Sequence, residues 1–152
     1  MELFLSTFVN KVDRKGRVSV PATFRSTLAT NRHPNQVVLI PSFKVDAIDG
    51  TGSDHLNQMM EGLNTLDQYS QRRDDMALLF ADSRSLTMDG EGRIVLPDDL
   101  KEYAHIDSEV AFVGLGTTFQ LWEPKGFAAH RAAALERARS SGATLPPGGG
   151  AR

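Results

Sequence analysis

Asp13 and Arg17 stand four residues apart across a glycine in Val12-Asp13-Arg14-Lys15-Gly16-Arg17-Val18-Ser19-Val20-Pro21, and the pattern returns 76 residues later in Met88-Asp89-Gly90-Glu91-Gly92-Arg93-Ile94-Val95-Leu96-Pro97. Both copies read Asp-x-x-Gly-Arg, apolar, x, apolar, Pro. A carboxylate and a guanidinium at this spacing admit two kinds of chemistry. In one, the carboxylate holds the guanidinium or the turn amides, and Asp13, Gly16, Asp89 and Gly92 build a corner. In the other, the turn is a cationic fingertip for a polyanion, carried by Lys11, Arg14, Lys15 and Arg17 with Arg93 in the second copy. No fold requirement demands Arg14 or Lys15.

The elements that must position these residues follow from the same stretch. Phe8, Asn10 and Val12 alternate with Val9, Lys11 and Asp13, which predicts a strand. Gly16 permits the positive φ of a tight reversal. Val18-Ser19-Val20 leaves as a second strand. Pro21 cannot donate to a strand ladder but suits the start of a helix, predicted to run through about Leu28. Ala22-Thr23-Phe24-Arg25 answers Asp98-Asp99-Leu100-Lys101 with apolar and basic positions kept, so each repeat is strand, turn, strand, helix.

Charge separates the copies. From Asn10 to Arg25 there are five basic residues against Asp13 alone, whereas Met88 to Tyr103 holds Arg93 and Lys101 against five acids. The whole chain is near neutral at −2, which argues against indiscriminate coating of nucleic acid and leaves placement of charge to decide. With 152 residues, two halves of about 75 would each have a thin core and need each other. There is no cysteine, which excludes disulfides and thiolate metal sites. No long apolar run suggests a membrane span or secretory signal, so the expected location is cytoplasmic, without a membrane partner.

Taken in order, the first unit spans 3–50. Val37-Val38-Leu39-Ile40 is predicted as a buried strand, with Lys44 to Ile48 as its hairpin partner around Pro41 and Ser42. Residues 51–82 form connecting helices: Ser53 caps the first, whose face carries Leu56, Met59, Met60, Leu63 and Leu66. The second is predicted over about Asp67 to Asp82, with Tyr69, Met76, Leu79 and Phe80 inward. The second unit spans 83–123, with a helix over Pro97 to Ala104 and strands at Glu109–Val113 and Phe119–Trp122. A C-terminal helix covers 124–138. The Ser, Gly, Pro and Ala residues of 139–152 bury too little to offset their ordering entropy, so a disordered tail is expected.

A search for catalysis finds little. His33, His55, His105 and His130 sit in separate elements with neither metal-ligand spacing nor a nucleophile to serve. Gly114-Leu115-Gly116 lacks the third glycine and following helix of a phosphate cradle. Asp46, Asp49 and Asp54 lack the spacing and closing glutamate of a calcium loop. The expectation is a non-enzyme with no cofactor and no metal.

With its doubled Asp-x-x-x-Arg at Asp13–Arg17 and Asp89–Arg93, its start at Phe8 to Pro21, and Val113-Gly114 followed by Phe119-Gln120-Leu121-Trp122, the chain resembles the MraZ family of bacterial transcription factors over about residues 3–138. That resemblance implies an α+β fold in which two tandem SpoVT-AbrB-type units clasp as a pseudo-dimer, a swapped-hairpin barrel flanked by helices within one chain. It implies a ring-shaped homo-oligomer on double-stranded DNA, nucleoid-associated, acting at repeats upstream of the division and cell-wall gene cluster, its own gene included. Gly90 and Glu91 replace Arg14 and Lys15 in the second copy, a departure from equal roles. Asp13 and Asp89 could pair with Arg17 or Arg93 across the pseudo-twofold axis, making Arg17 a support of the turn more than a base reader. The rival reading is a ring-forming scaffold without direct DNA readout; a single-copy AbrB-type antitoxin would carry one signature and a more apolar tail.

Overall fold

The computed structural model describes residues 2–148. Strands β1 (Thr7–Lys11) and β2 (Arg17–Ser19) flank the first turn, and α1 (Ala22–Leu28) follows; β3 (Gln36–Pro41) and β4 (Ile48–Thr51) close the first half. Helices α2 (Ser53–Asn64) and α3 (Gln71–Ala81) lead into β5 (Arg84–Thr87), β6 (Arg93–Val95), α4 (Asp98–Tyr103), β7 (Glu109–Gly114), β8 (Phe119–Trp122) and α5 (Pro124–Ser141). The fold is α+β, and all its strand pairings are antiparallel.

The strands around each signature pair across the repeats. β1 runs against β7 with Phe8 opposite Phe112, and β5 runs against β3 with Leu86 opposite Val37. β4 pairs β8, and β2 pairs β6. Neither half can complete its hydrogen bonding alone, which is how two short units share one core. The strands form a six-stranded sheet ordered β1-β7-β8-β4-β3-β5 and a separate β2–β6 ribbon, where the resemblance implied one closed barrel.

Side-chain alternation sorts the residues onto two faces. The inner face meets the ribbon, α1 and α4 in one cluster that includes Val18, Phe24, Ile94, Leu100, Phe112, Phe119 and Leu121. Phe24 is fully buried at its centre, with ring centroids 5.3 Å from Phe4, 5.7 Å from Phe8 and 5.2 Å from Phe119. Leu100 in α4 and Ala104 just after it fill the places of Phe24 and Leu28 in α1, as the repeat predicts. Helices α2 and α3 pack on the outer face over β3, and α5 packs there over β7, with Phe127 against Ala111, Val113 and Trp122.

Several expectations need correction. The return strand of the first hairpin begins at Ile48 rather than Lys44, because the Ser42 hydroxyl accepts bonds from the Lys44 and Val45 N–H and holds them in the loop. Gly50 belongs to that strand: a Cβ there would come 2.3 Å from the Phe119 ring, so only glycine lets the ring lie flat on the backbone. Ser53 is not a cap. The Asn31 side chain accepts from the Asp54 N–H (2.9 Å) and Asp54 accepts from the Arg32 N–H, so a distant loop caps α2 while Ser53 Oγ accepts from the His33 N–H.

Tyr69 is 88% exposed instead of inward, because Asp67 folds the chain into a turn and Ser70 caps α3, which therefore starts at Gln71. The last helix continues three residues past 138, carried by its alanines and closed at Gly142 in the left-handed conformation (φ 64°). Residues 143–148 carry no secondary structure, and the rest of the predicted tail, 149–152, lies outside the described residues.

Candidate nucleic-acid interface

Each signature folds as the same corner. In the first, Asp13 Oδ1 accepts from the Lys15 N–H (2.9 Å) and the Arg17 N–H (2.8 Å), and Oδ2 accepts from Arg17 Nε at 2.7 Å. In the second, Asp89 Oδ1 accepts from the Glu91 N–H (2.9 Å) and the Arg93 N–H (3.0 Å), and Oδ2 accepts from Arg93 Nε at 2.9 Å. Gly16 (φ 80°) and Gly92 (φ 75°) supply the left-handed residue, and each donates its N–H to the carbonyl of the turn's aspartate at 3.0 Å. The ion pairs are thus within each turn, not across the pseudo-twofold axis as one sequence reading had it.

The crossing is made by the backbone instead. The Leu96 N–H donates to the Gly16 carbonyl (2.8 Å), and the Val20 N–H donates to the Gly92 carbonyl (3.0 Å). Because β2 and β6 are antiparallel, the two turns enter the ribbon from opposite ends, separated by its three residue pairs, roughly 10 Å along the strand. Val18 and Ile94 point into the core, so Arg17, Ser19, Arg93 and the 57%-exposed Val95 form the ribbon's outer surface.

Electrostatics follow from these bonds. The Asp13 carboxyl is held below the ordinary carboxylate range, first by the Arg17 N–H and then by the Arg17 guanidinium and Lys15 N–H, with burial opposing them. Asp89 is lowered in the same way, led by the Arg93 N–H. Arg93 is raised, chiefly by its bond to Asp89, with Glu91 and Asp13 adding to it.

What the turns offer outward differs. Lys11, Arg14 and Lys15 are exposed and make no ion pair or side-chain hydrogen bond among the described residues. Arg17 uses Nε on Asp13 and leaves Nη1 and Nη2 without a protein partner among the described residues. In the second turn Gly90 has no side chain, and Glu91 sits 3.6 Å from Arg93 Nη1.

Sequence reasoning missed Arg25. Its stem lies across Gly92, where a Cβ would come 2.5 Å from Arg25 Cδ, and its Nη1 donates to the Val20 carbonyl. This cation of the first window therefore braces the second turn. The signal available was the basic residue kept four places after each signature proline, Arg25 and Lys101; the fold uses the former at the opposite turn. On the second side Arg84 is likewise bonded to Asp99, whose carboxyl it lowers.

Among the described residues no group of three or more His, Asp and Glu side chains could hold a metal ion, and no helix is long and apolar enough to cross a membrane.

A doubled corner on one shared core, with cations that lack an ion-pair partner among the described residues at one of the two, defines a class: a duplicated-turn protein with one cationic tip. The family model described as "MraZ protein, putative antitoxin-like" matches residues 79–143. The chain is 43% identical over 152 residues to the transcriptional regulator MraZ of Gluconacetobacter diazotrophicus, covering 98% of this chain and 95% of that one. It is 38% identical over 146 residues to the protein of the same name from Rickettsia akari, and 39% identical over 146 residues to that from Rickettsia rickettsii, each over 95% of this chain and 97% of the relative. The chain belongs to the MraZ family.

Proposed function

We propose that the protein is a sequence-specific, DNA-binding transcriptional regulator, cytoplasmic and nucleoid-associated, that grips double-stranded DNA through its first turn. The observation that carries this reading is the set of exposed cations at Lys11, Arg14 and Lys15, which have no ion-pair partner among the described residues, in contrast to a matched turn whose arginine is held by Asp89 and Glu91. Its relatives' name, transcriptional regulator, supports the same class. Residues 3–50 and 83–123 serve as the two SpoVT-AbrB-like units of a swapped-hairpin pseudo-dimer, joined by 51–82 and followed by the last helix.

A two-stranded ribbon fits the major groove of B-DNA, about 12 Å wide. In that pose Lys11, Arg14 and Lys15 lie on phosphates, each contact steepening the log-log salt dependence by about 0.9. The free Nη edge of Arg17 suits a bidentate contact to guanine, worth about 1–3 kcal/mol of discrimination, and Val95 suits a thymine methyl. Arg93, held by Asp89 and Glu91, plays the lesser part.

Three free cations bind weakly. A ring-shaped homo-oligomer that presents several first turns to repeated sites raises affinity by about 10²–10⁴ through effective concentration. The target this supports is a set of promoter repeats upstream of the division and cell-wall gene cluster, the chain's own gene included.

The deciding experiment measures binding of Arg14→Ala/Lys15→Ala to DNA carrying one, two and three repeats at fixed salt, with oligomer size determined alongside. Loss of binding with unchanged size is expected. Unchanged binding would leave the scaffold reading, in which assembly proceeds without direct DNA readout.

A further inference from the structure

The outer face of the sheet is covered unequally. Over the first half, β3 carries two helices, α2 and α3; over the second, the helix packed on the equivalent strand β7 is α5. The uncovered strip lies on β1, the edge strand next to β7. Phe4 bridges Gly116 and Thr7 pairs Val113, which puts Leu5 beside Leu115 on the outer face, with Val9 further along opposite Ala111. Leu5, Val9 and Leu115 are 59%, 51% and 54% exposed.

The other edge of the same sheet answers differently. Ser85 is the repeat's counterpart of Val9, and both Ser85 and Thr87 turn polar side chains to water. An apolar outer strip on one edge and a polar one on the other is the pattern of a surface that is covered on one side only.

The chain carries a matching occupant. None of the residues of α3 is buried, and Leu78 on it is 53% exposed. Charge agrees: residues 53–82, which contain α2 and α3, hold six acids against two arginines, while α5, flanking the open strip, holds four Lys and Arg against one glutamate. An acidic helix pair with spare apolar surface thus complements a basic helix beside an apolar strip.

We propose that the strip formed by Leu5, Val9 and Leu115 beside α5 seats α3 of a second copy of the chain, in the place that α3 itself occupies over the first half. The contact joins two different surfaces, so it is head-to-tail, and repeated by rotation it closes a ring. It rests on the self-assembly proposed above and names the surfaces that perform it.

The test uses two full-length variants, Val9→Asp in the strip and Leu78→Asp on α3, each at a site more than half exposed, with Leu5→Asp as a second strip variant. Circular dichroism checks folding, and native mass spectrometry counts chains. Each variant alone should fall to the mass of one chain. Mixed in equal amounts, Val9→Asp and Leu78→Asp should give one-to-one dimers and nothing larger, because only the former's α3 and the latter's strip remain intact. Folded variants that keep the parent's mass, or a mixture that stays monomeric, would overturn these surfaces while leaving assembly itself standing. A parent chain that is monomeric would overturn both.

Discussion

The first and second turns are built from the same bonds, an aspartate holding two backbone N–H groups and the Nε of an arginine four residues on, yet they offer opposite surfaces. At the first, two cations project between acid and arginine. At the second, a glycine and a glutamate stand in those places, and the glutamate adds to the aspartate in neutralising Arg93. The scaffold of the corner is thus separable from its use. Backbone geometry is fixed by Asp, Gly and Arg, leaving the two middle residues to change without disturbing the fold.

The strongest way to break this comparison is to exchange the middles. Arg14→Gly with Lys15→Glu gives the first turn the second's surface, and should weaken DNA binding about 10²-fold through lost phosphate contacts and added repulsion, read by fluorescence anisotropy at constant salt. Retained affinity would mean that the first turn is not the grip.

The converse exchange sharpens it. A Cβ at Gly90 meets nothing within 4 Å, so Gly90→Arg with Glu91→Lys is accommodated without a clash. Affinity should rise about tenfold, and the log-log salt slope should steepen by about 1.8, the equivalent of two phosphates. A slope identical to the parent's would show that the second turn does not face DNA.

Smaller effects test the corners themselves. Gly16→Ala and Gly92→Ala each force a side chain into the left-handed region, costing about 1–2 kcal/mol. Gly92→Ala should cost more, since its Cβ would displace the Arg25 stem whereas Gly16 has 3.4 Å to its nearest neighbour. Thermal unfolding gives the order, and equal losses would remove Arg25 as a brace. Last, the folded-state pKa values of Asp13 and Asp89 lie below their unfolded ones, so their turn bonds contribute to stability above about pH 4 and are lost as pH falls through the lowered folded values. An acid titration followed by NMR should show both turns loosening together; if one persists to much lower pH, the corners are not equivalent.

Much of the fold was legible because the signals were local. The repeat, the turn glycines, the strand-stopping prolines Pro21 and Pro97 and the apolar runs of β3 and β7 each act within a few residues. Expectations failed where a distant partner decided the outcome. Asn31 rather than Ser53 caps α2, and pairing with Leu39 on β3 and Phe119 on β8 makes Gly50 a strand residue. Of the first window's five cations, Arg17 is tied to Asp13 and Arg25 is drawn to the opposite turn, so three project without an ion-pair partner among the described residues. Counting charge in a window could not separate those uses.

The sequence by itself determined that two like corners exist, that their middle residues differ in charge, and that each is followed by a proline-started helix, since turn chemistry and helix starts depend on neighbours along the chain. Only the tertiary structure decided that each corner is stitched to the other repeat's strand, that both arginines stay within their own turns, and that one sheet edge presents leucine and valine to solvent. Strand pairing joins residues 74 to 106 positions apart, and no local pattern specifies which of the possible partners will meet.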